Sequence, residues 1–115
     1  MDDNGKPRER SLNFATLRKA NVTRLEKTWH KLNDWTETDW LTAVAGELGE
    51  LAGLIKKKRR GDKVAQIDVS REIADITIYL DLLAAKMGVD LGNAVIEKFN
   101  LTSALSQSDI KLRAK

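Results

Sequence analysis

Apolar residues recur along this 115-residue chain at steps of three and four, the period of one helix face. The clearest row is Leu41, Val44, Leu48, Leu51 and Ile55; a second, after a polar interval, is Ile73, Ile76, Leu80, Leu83 and Met87. Each predicts an amphipathic helix whose heptad-like seam needs a partner. The first is expected over about 39–59, capped by Thr38 or Asp39 and stopped at Gly61. Asp68 or Ser70 is the expected cap of the second, which stops at Gly88. An earlier helix is expected over about 11–32 from Leu17, Leu25, Trp29 and Leu32, followed by a connector at 33–38. A short last helix opens on Asp90 and runs through Phe99. No strand-type alternation of useful length appears, so the expected class is all-α with four helices. Residues 1–10 read as a disordered lead-in, 11–103 as the helical domain and 104–115 as a polar tail.

Composition narrows the chemistry. The chain has no cysteine, which removes disulfides, thiol catalysis and cysteine-based zinc sites, and fits a reducing cytoplasm. The polar, acidic start from Met1 to Gly5 is unlike a secretory signal, and no apolar run nears the ~20 residues of a membrane helix. A soluble, cytoplasmic protein without a membrane partner is expected. The net charge of +3 comes from Lys56, Lys57, Lys58, Arg59 and Arg60; the rest is slightly acidic. Nucleic-acid binding would rest on that run, with Lys63, and is the non-enzymatic alternative. A core this small also leaves surface for copies of the chain to cover.

Four acids stand beside the two seams. Glu47 and Glu50 immediately precede Leu48 and Leu51; Glu72 and Asp75 precede Ile73 and Ile76 in the same relation. At about 100° per residue, each pair occupies the same flank of its helix, so packed seams bring the pairs to one site. Solvated charge beside a buried stripe is the ordinary fate of such residues. Here, however, Glu47 and Glu50 have no basic residue three or four positions away, and each pair sets like charges one turn apart. Only Asp75 has a nearby cation, Arg71. Carboxylates sharing a partly buried site require a cation, and an oxygen-only set selects Mg²⁺, with Mn²⁺ as substitute.

Other residues carry weaker signals. Tyr79 lies seven after Glu72, on its stripe, and Lys57 extends the flank of Glu50. Trp29, Trp35 and Trp40 read as packing residues, with Trp35 the best stacking candidate; His30, the single histidine, has no evident nucleophile to serve. Gly46, Gly49 and Gly53 imply close approach by the first helix or a second subunit.

Glu47-Leu48-Gly49-Glu50, then 21 residues, then Glu72-Ile73-Ala74-Asp75 resembles the signature of all-α nucleoside triphosphate pyrophosphohydrolases. The context is similar to the MazG-like branch, near the dCTP pyrophosphatases: Ala45 to Leu51, Ile55-Lys56-Lys57, Gly88-Val89-Asp90-Leu91 and Lys98-Phe99-Asn100. The resemblance spans roughly 17–103. It implies a four-helix bundle completed as a homodimer or homotetramer, and Mg²⁺ held by Glu47, Glu50, Glu72 and Asp75. It implies water attack on the α-phosphorus, with one glutamate orienting or deprotonating the water. Lys98 and Asn100 match positions near the phosphates or sugar, and Tyr79 one near the nucleotide. Lys57 departs from relatives that tend to place a base-stacking aromatic there, so a cytosine preference does not carry over. Clearing of nucleotide pools is the implied role. Phosphoribosyl-ATP pyrophosphohydrolase, which shares the acid motif, is the alternative enzyme.

Overall fold

The computed structural model describes Gly5 and residues 11–114, so the expected lead-in, apart from Gly5, lies outside the described residues. Among the described residues four helices form: α1 at Phe14–Thr28, α2 at Glu37–Arg59, α3 at Gln66–Lys86 and α4 at Leu91–Leu105, with a 3₁₀ turn at Leu32–Asp34. No strand is present among the described residues. The all-α, four-helix class expected from the apolar period is the one observed, and it is consistent with a MazG-like bundle. None of the helices is long and apolar enough to cross a membrane.

The helix ends depart from expectation for local reasons. Asn13 caps α1, its side chain accepting from the Thr16 N–H at 2.8 Å. The helix stops at Thr28 rather than continuing through Leu32. Two side-chain carboxylates hold the reversal, Glu26 accepting from the Leu32 N–H at 3.0 Å and Asp34 from the Lys31 N–H at 2.8 Å. α2 starts earlier than Thr38 or Asp39 because Thr36 and Asp39 form a reciprocal capping box, at 2.9 and 3.1 Å. α3 likewise starts before Asp68 and Ser70; Ala65 flanks it without a side-chain cap, and Asp68 sits in the first turn, where its charge suits the helix dipole. Gly61 and Gly88 end α2 and α3 with φ of +97° and +69°, a backbone conformation costly to other residues. Asp90 caps α4 as expected, but with no Gly or Pro to stop it the helix passes Phe99 and reaches Leu105.

α2 and α3 form an antiparallel hairpin, and α1 packs against α3. Trp40, Leu25 and Leu82 are the buried centre, with Val22, Leu32, Trp35, Tyr79 and Leu83 packed around it. Only one side of each seam is covered: Val44 is buried and Leu51, Ile76 and Leu83 are half-buried, while Leu41, Leu48, Ile55, Ile73, Leu80 and Met87 stay exposed. α1 does not approach the glycine face of α2. A Cβ built on Gly46, Gly49 or Gly53 meets nothing within 4 Å.

One buried polar cluster ties α1 to the hairpin. Asp81, fully buried, accepts from Arg18 Nε at 3.0 Å and from Asn21 Nδ2 at 3.1 Å. Asn21 also donates to the Ile78 carbonyl and Arg18 to the Val89 carbonyl, both at 2.9 Å. The carboxylate is thus paired and hydrogen-bonded, as a buried charge must be. It fixes the face of α1 that looks onto α3.

Candidate functional site

Because α2 and α3 run side by side, their acidic flanks meet. Glu47, Glu50 and Glu72 each offer a carboxylate oxygen, and these three atoms lie within 4.8 Å of one another. One oxygen of Glu47 and one of Glu72 are buried without a hydrogen-bond partner. Two carboxylates cannot donate to each other, so this arrangement needs a proton or a cation. The Glu72 carboxyl shows the strain: it is raised from 4.5 to about 7. The first cause is the hydrogen bond it makes to Glu47 when protonated, followed by burial, the same bond to Glu50, and the two neighbouring negative charges. Oxygen-only donors at this spacing, with two buried oxygens left without a partner, fit a hard divalent cation such as Mg²⁺.

Asp75, one turn beyond Glu72, is not part of that trio. It lines an adjoining cleft of about 380 Å³, together with Trp29, Trp35, Trp40, Tyr79 and His30. No ion pair joins it to Arg71; among the described residues the pairs are Arg18–Asp81 and Arg60–Asp62. The cleft is an aromatic nest. His30 stacks on Trp35 with centroids 4.7 Å apart, Trp35 meets Trp40 at 4.5 Å, and Trp40 meets Tyr79 at 6.4 Å. Two polar bonds fix the rings: Trp40 Nε1 donates to the Leu32 carbonyl at 3.2 Å, and His30 Nδ1 lies 2.8 Å from the Lys31 carbonyl. Trp29, 65% exposed, forms the rim, and the Arg24 guanidinium lies 5.6 Å from its ring centre. Flat π surface beside a cluster of anionic oxygens is a setting for a planar ring attached to phosphates bridged by a cation.

No family model matches the chain. Human dCTP pyrophosphatase 1 is 33% identical over 92 residues, 70% of this chain and 54% of the human protein. The rat and mouse proteins of the same name are each 33% identical over 91 residues, with the same coverage. The fold is MazG-like and related to that of the dCTP pyrophosphatases. The chain spans about half the length of these curated relatives.

The remaining candidates divide by position. Trp35 and Tyr79 both line the aromatic cleft. Lys57 is exposed on the last turn of α2, outside the trio. Lys98 lies on α4 in a separate groove with Val95, Phe99 and Thr102. Asn100 is engaged elsewhere: its side chain pairs with the main chain of Leu112 through two bonds of 2.9 Å. Sequence reasoning passed over His30, Arg24 and Asn21 as cleft residues. His30 is separated from its stacking partner by the 3₁₀ turn, which no apolar period announces. Asn21 and Arg24 line the cleft because α1 packs against α3.

Proposed function

We propose that this chain is a Mg²⁺-dependent nucleoside triphosphate pyrophosphohydrolase, converting a (d)NTP and water to the (d)NMP and pyrophosphate. The observation that carries the reading is the carboxylate trio with two orphaned buried oxygens, set next to an aromatic cleft. The likeness to proteins named dCTP pyrophosphatase supports it. Glu47, Glu50 and Glu72 hold the cation, and Asp75 stands where the trio adjoins the cleft. When bound, Mg²⁺ neutralises phosphate charge and polarises the phosphoryl oxygens. Trp35 and Tyr79, with His30, receive the base, so that the triphosphate runs toward the acids. One of the glutamates orients or deprotonates the water that attacks the α-phosphorus, and pyrophosphate leaves. No covalent nucleophile is required, in keeping with a site without cysteine or serine.

Lys57, Lys98 and Asn100 are assigned to phosphate or sugar contacts. For Asn100 this requires release of its bonds to Leu112. Because Lys57 replaces an expected aromatic, the base is not restricted to cytosine in this reading. The working context is clearance of cytoplasmic nucleotides by an assembled oligomer. The test is a panel of dNTPs and NTPs incubated with Mg²⁺ and assayed for pyrophosphate and monophosphate. Turnover of at least one nucleotide is expected. Turnover of phosphoribosyl-ATP alone moves the assignment to that enzyme.

A further inference from the structure

Arg24, Trp29 and Asp75 are the exposed residues of the aromatic cleft, and Asn21, Leu25, Trp40 and Leu82 are the buried residues that line it. In a lining this apolar, each polar atom left uncommitted weighs heavily on what can enter. Trp40 Nε1 is committed to the Leu32 carbonyl. Asn21, 4% exposed, commits both hydrogens of its Nδ2, one to the Ile78 carbonyl at 2.9 Å and one to Asp81 Oδ2 at 3.1 Å. Two acceptors beside the same nitrogen settle which end of the amide is which; the reverse orientation would set oxygen against oxygen twice. What remains is Oδ1. It accepts no hydrogen bond among the described residues. Nor is it sealed off, since the buried unpartnered side-chain atoms there are Oε2 of Glu47 and Oε2 of Glu72. Asn21 lines the cleft, so the remaining surface of this oxygen opens into it.

We propose that Asn21 Oδ1 reads an exocyclic amino group on the base, so that the site selects 4-aminopyrimidine and 6-aminopurine nucleotides over their oxo counterparts. This rests on the nucleotide reading and names the bases which that reading left open. Oδ1 is an acceptor only. Its amide is clamped through Asp81, itself held by Arg18, and so cannot turn to offer a donor. An amino N–H gives Oδ1 the donor that solvent otherwise supplies. A ring carbonyl in the same place gives it none, and sets two oxygens against each other where water is scarce. A site that hydrogen-bonds one substrate group discriminates more sharply than an apolar pocket does by size. His30 adds to the same polarity. Its Nδ1 lies 2.8 Å from the Lys31 carbonyl, which can only accept, so Nδ1 carries the hydrogen and the neutral ring keeps Nε2 as an acceptor. The stacking rings accept any base, because every base has a π face. Asn21 supplies the choice among them.

The test needs no turnover. Wild-type protein is titrated with CMP and with the monophosphate of 2-pyrimidinone riboside, which lacks the amino group, following tryptophan fluorescence. AMP and purine riboside monophosphate form the second pair. CMP and AMP are expected to bind about tenfold or more tightly than their amine-free counterparts, the loss that one unmade bond to a buried group produces. UMP and IMP are expected to bind no better than the amine-free compounds. Asn21→Leu, with its fold checked by circular dichroism, is expected to bring each pair within about twofold, by weakening the amino member. Should that variant fail to fold, the wild-type pairs decide alone. Equal affinities within both pairs overturn the assignment, as does a folded variant that keeps the full preference. Affinity lost on removing a sugar hydroxyl, and not on removing the amine, places the sugar at Oδ1 and overturns it too. The nucleotide reading fails separately. Amino selectivity without pyrophosphate release from any triphosphate overturns hydrolysis and leaves Asn21 standing. Release from CTP and UTP at equal kcat/KM overturns the role of Asn21 and leaves hydrolysis standing, and no binding of any of these nucleotides overturns both.

Discussion

Replacing Asp81 with alanine tests the physical frame on which the cleft is built. Asp81 has no exposed surface and receives one bond from Arg18 and one from Asn21. Removing the carboxylate deletes both acceptors, opens a small void and leaves the Arg18 guanidinium with the Val89 carbonyl. Removing one partner of a buried ion pair costs about 3–5 kcal/mol. The Arg18 side chain is 26% exposed, however, and can turn toward water, so a loss of about 2–3 kcal/mol is expected. In a domain of this size that lowers the thermal midpoint by about 6–15 °C. Asp81→Asn keeps the shape and one acceptor, and should lose about half as much. Urea unfolding followed by circular dichroism, at one protein concentration, measures both. Asn21 and Leu25 also line the cleft, so the alanine variant should raise KM for nucleotide. A change below about 0.5 kcal/mol would refute the argument that α1 is held through this carboxylate.

Two further predictions concern the trio and the cleft. The folded protein holds the Glu72 proton more tightly than the unfolded chain, with pKa about 7 against 4.5. Its contribution to metal-free stability is therefore complete below about pH 4.5 and is lost as pH rises through about 7. Mg²⁺ competes with that proton, so its apparent Kd, read by calorimetry, should weaken by up to about tenfold per pH unit below about pH 7; a pH-independent Kd contradicts the assignment. Trp35→Ala should raise KM for nucleotide about tenfold or more while kcat and Mg²⁺ affinity change little, because base stacking is worth about 1–3 kcal/mol. An unchanged KM removes Trp35 from the substrate site.

Much of the hairpin was legible in the sequence, because heptad spacing and two glycine stops are local signals. The acid pairs were legible for the same reason: each sits in a fixed relation to its own seam. Their convergence was legible only in part. Glu72 and Asp75 are about 60° apart around α3, and the way the helices pack decides which of them meets Glu47. That angle left Asp75 toward the cleft. The exposed half of the stripe was not legible, since an apolar heptad position looks the same whether its partner lies in the same chain or another. Asp81 was visible only as a charge interrupting an apolar run. Its partner Arg18 is 63 residues away, and no periodicity connects them. The cleft depended on the turn at Leu32–Asp34, where two side-chain carboxylates override a helical pattern.

The most direct measurement is Mg²⁺-dependent pyrophosphate release by the wild type and by Glu50→Gln, with the fold of each checked by circular dichroism. Glu50 is exposed, so the substitution should leave the fold intact while removing one charge of the proposed metal site. The account predicts turnover by the wild type and a loss of about 100-fold or more in the variant, as for other removals of transition-state charge stabilisation. A folded wild type that releases pyrophosphate from no nucleotide, or a variant that keeps the full rate, would contradict it.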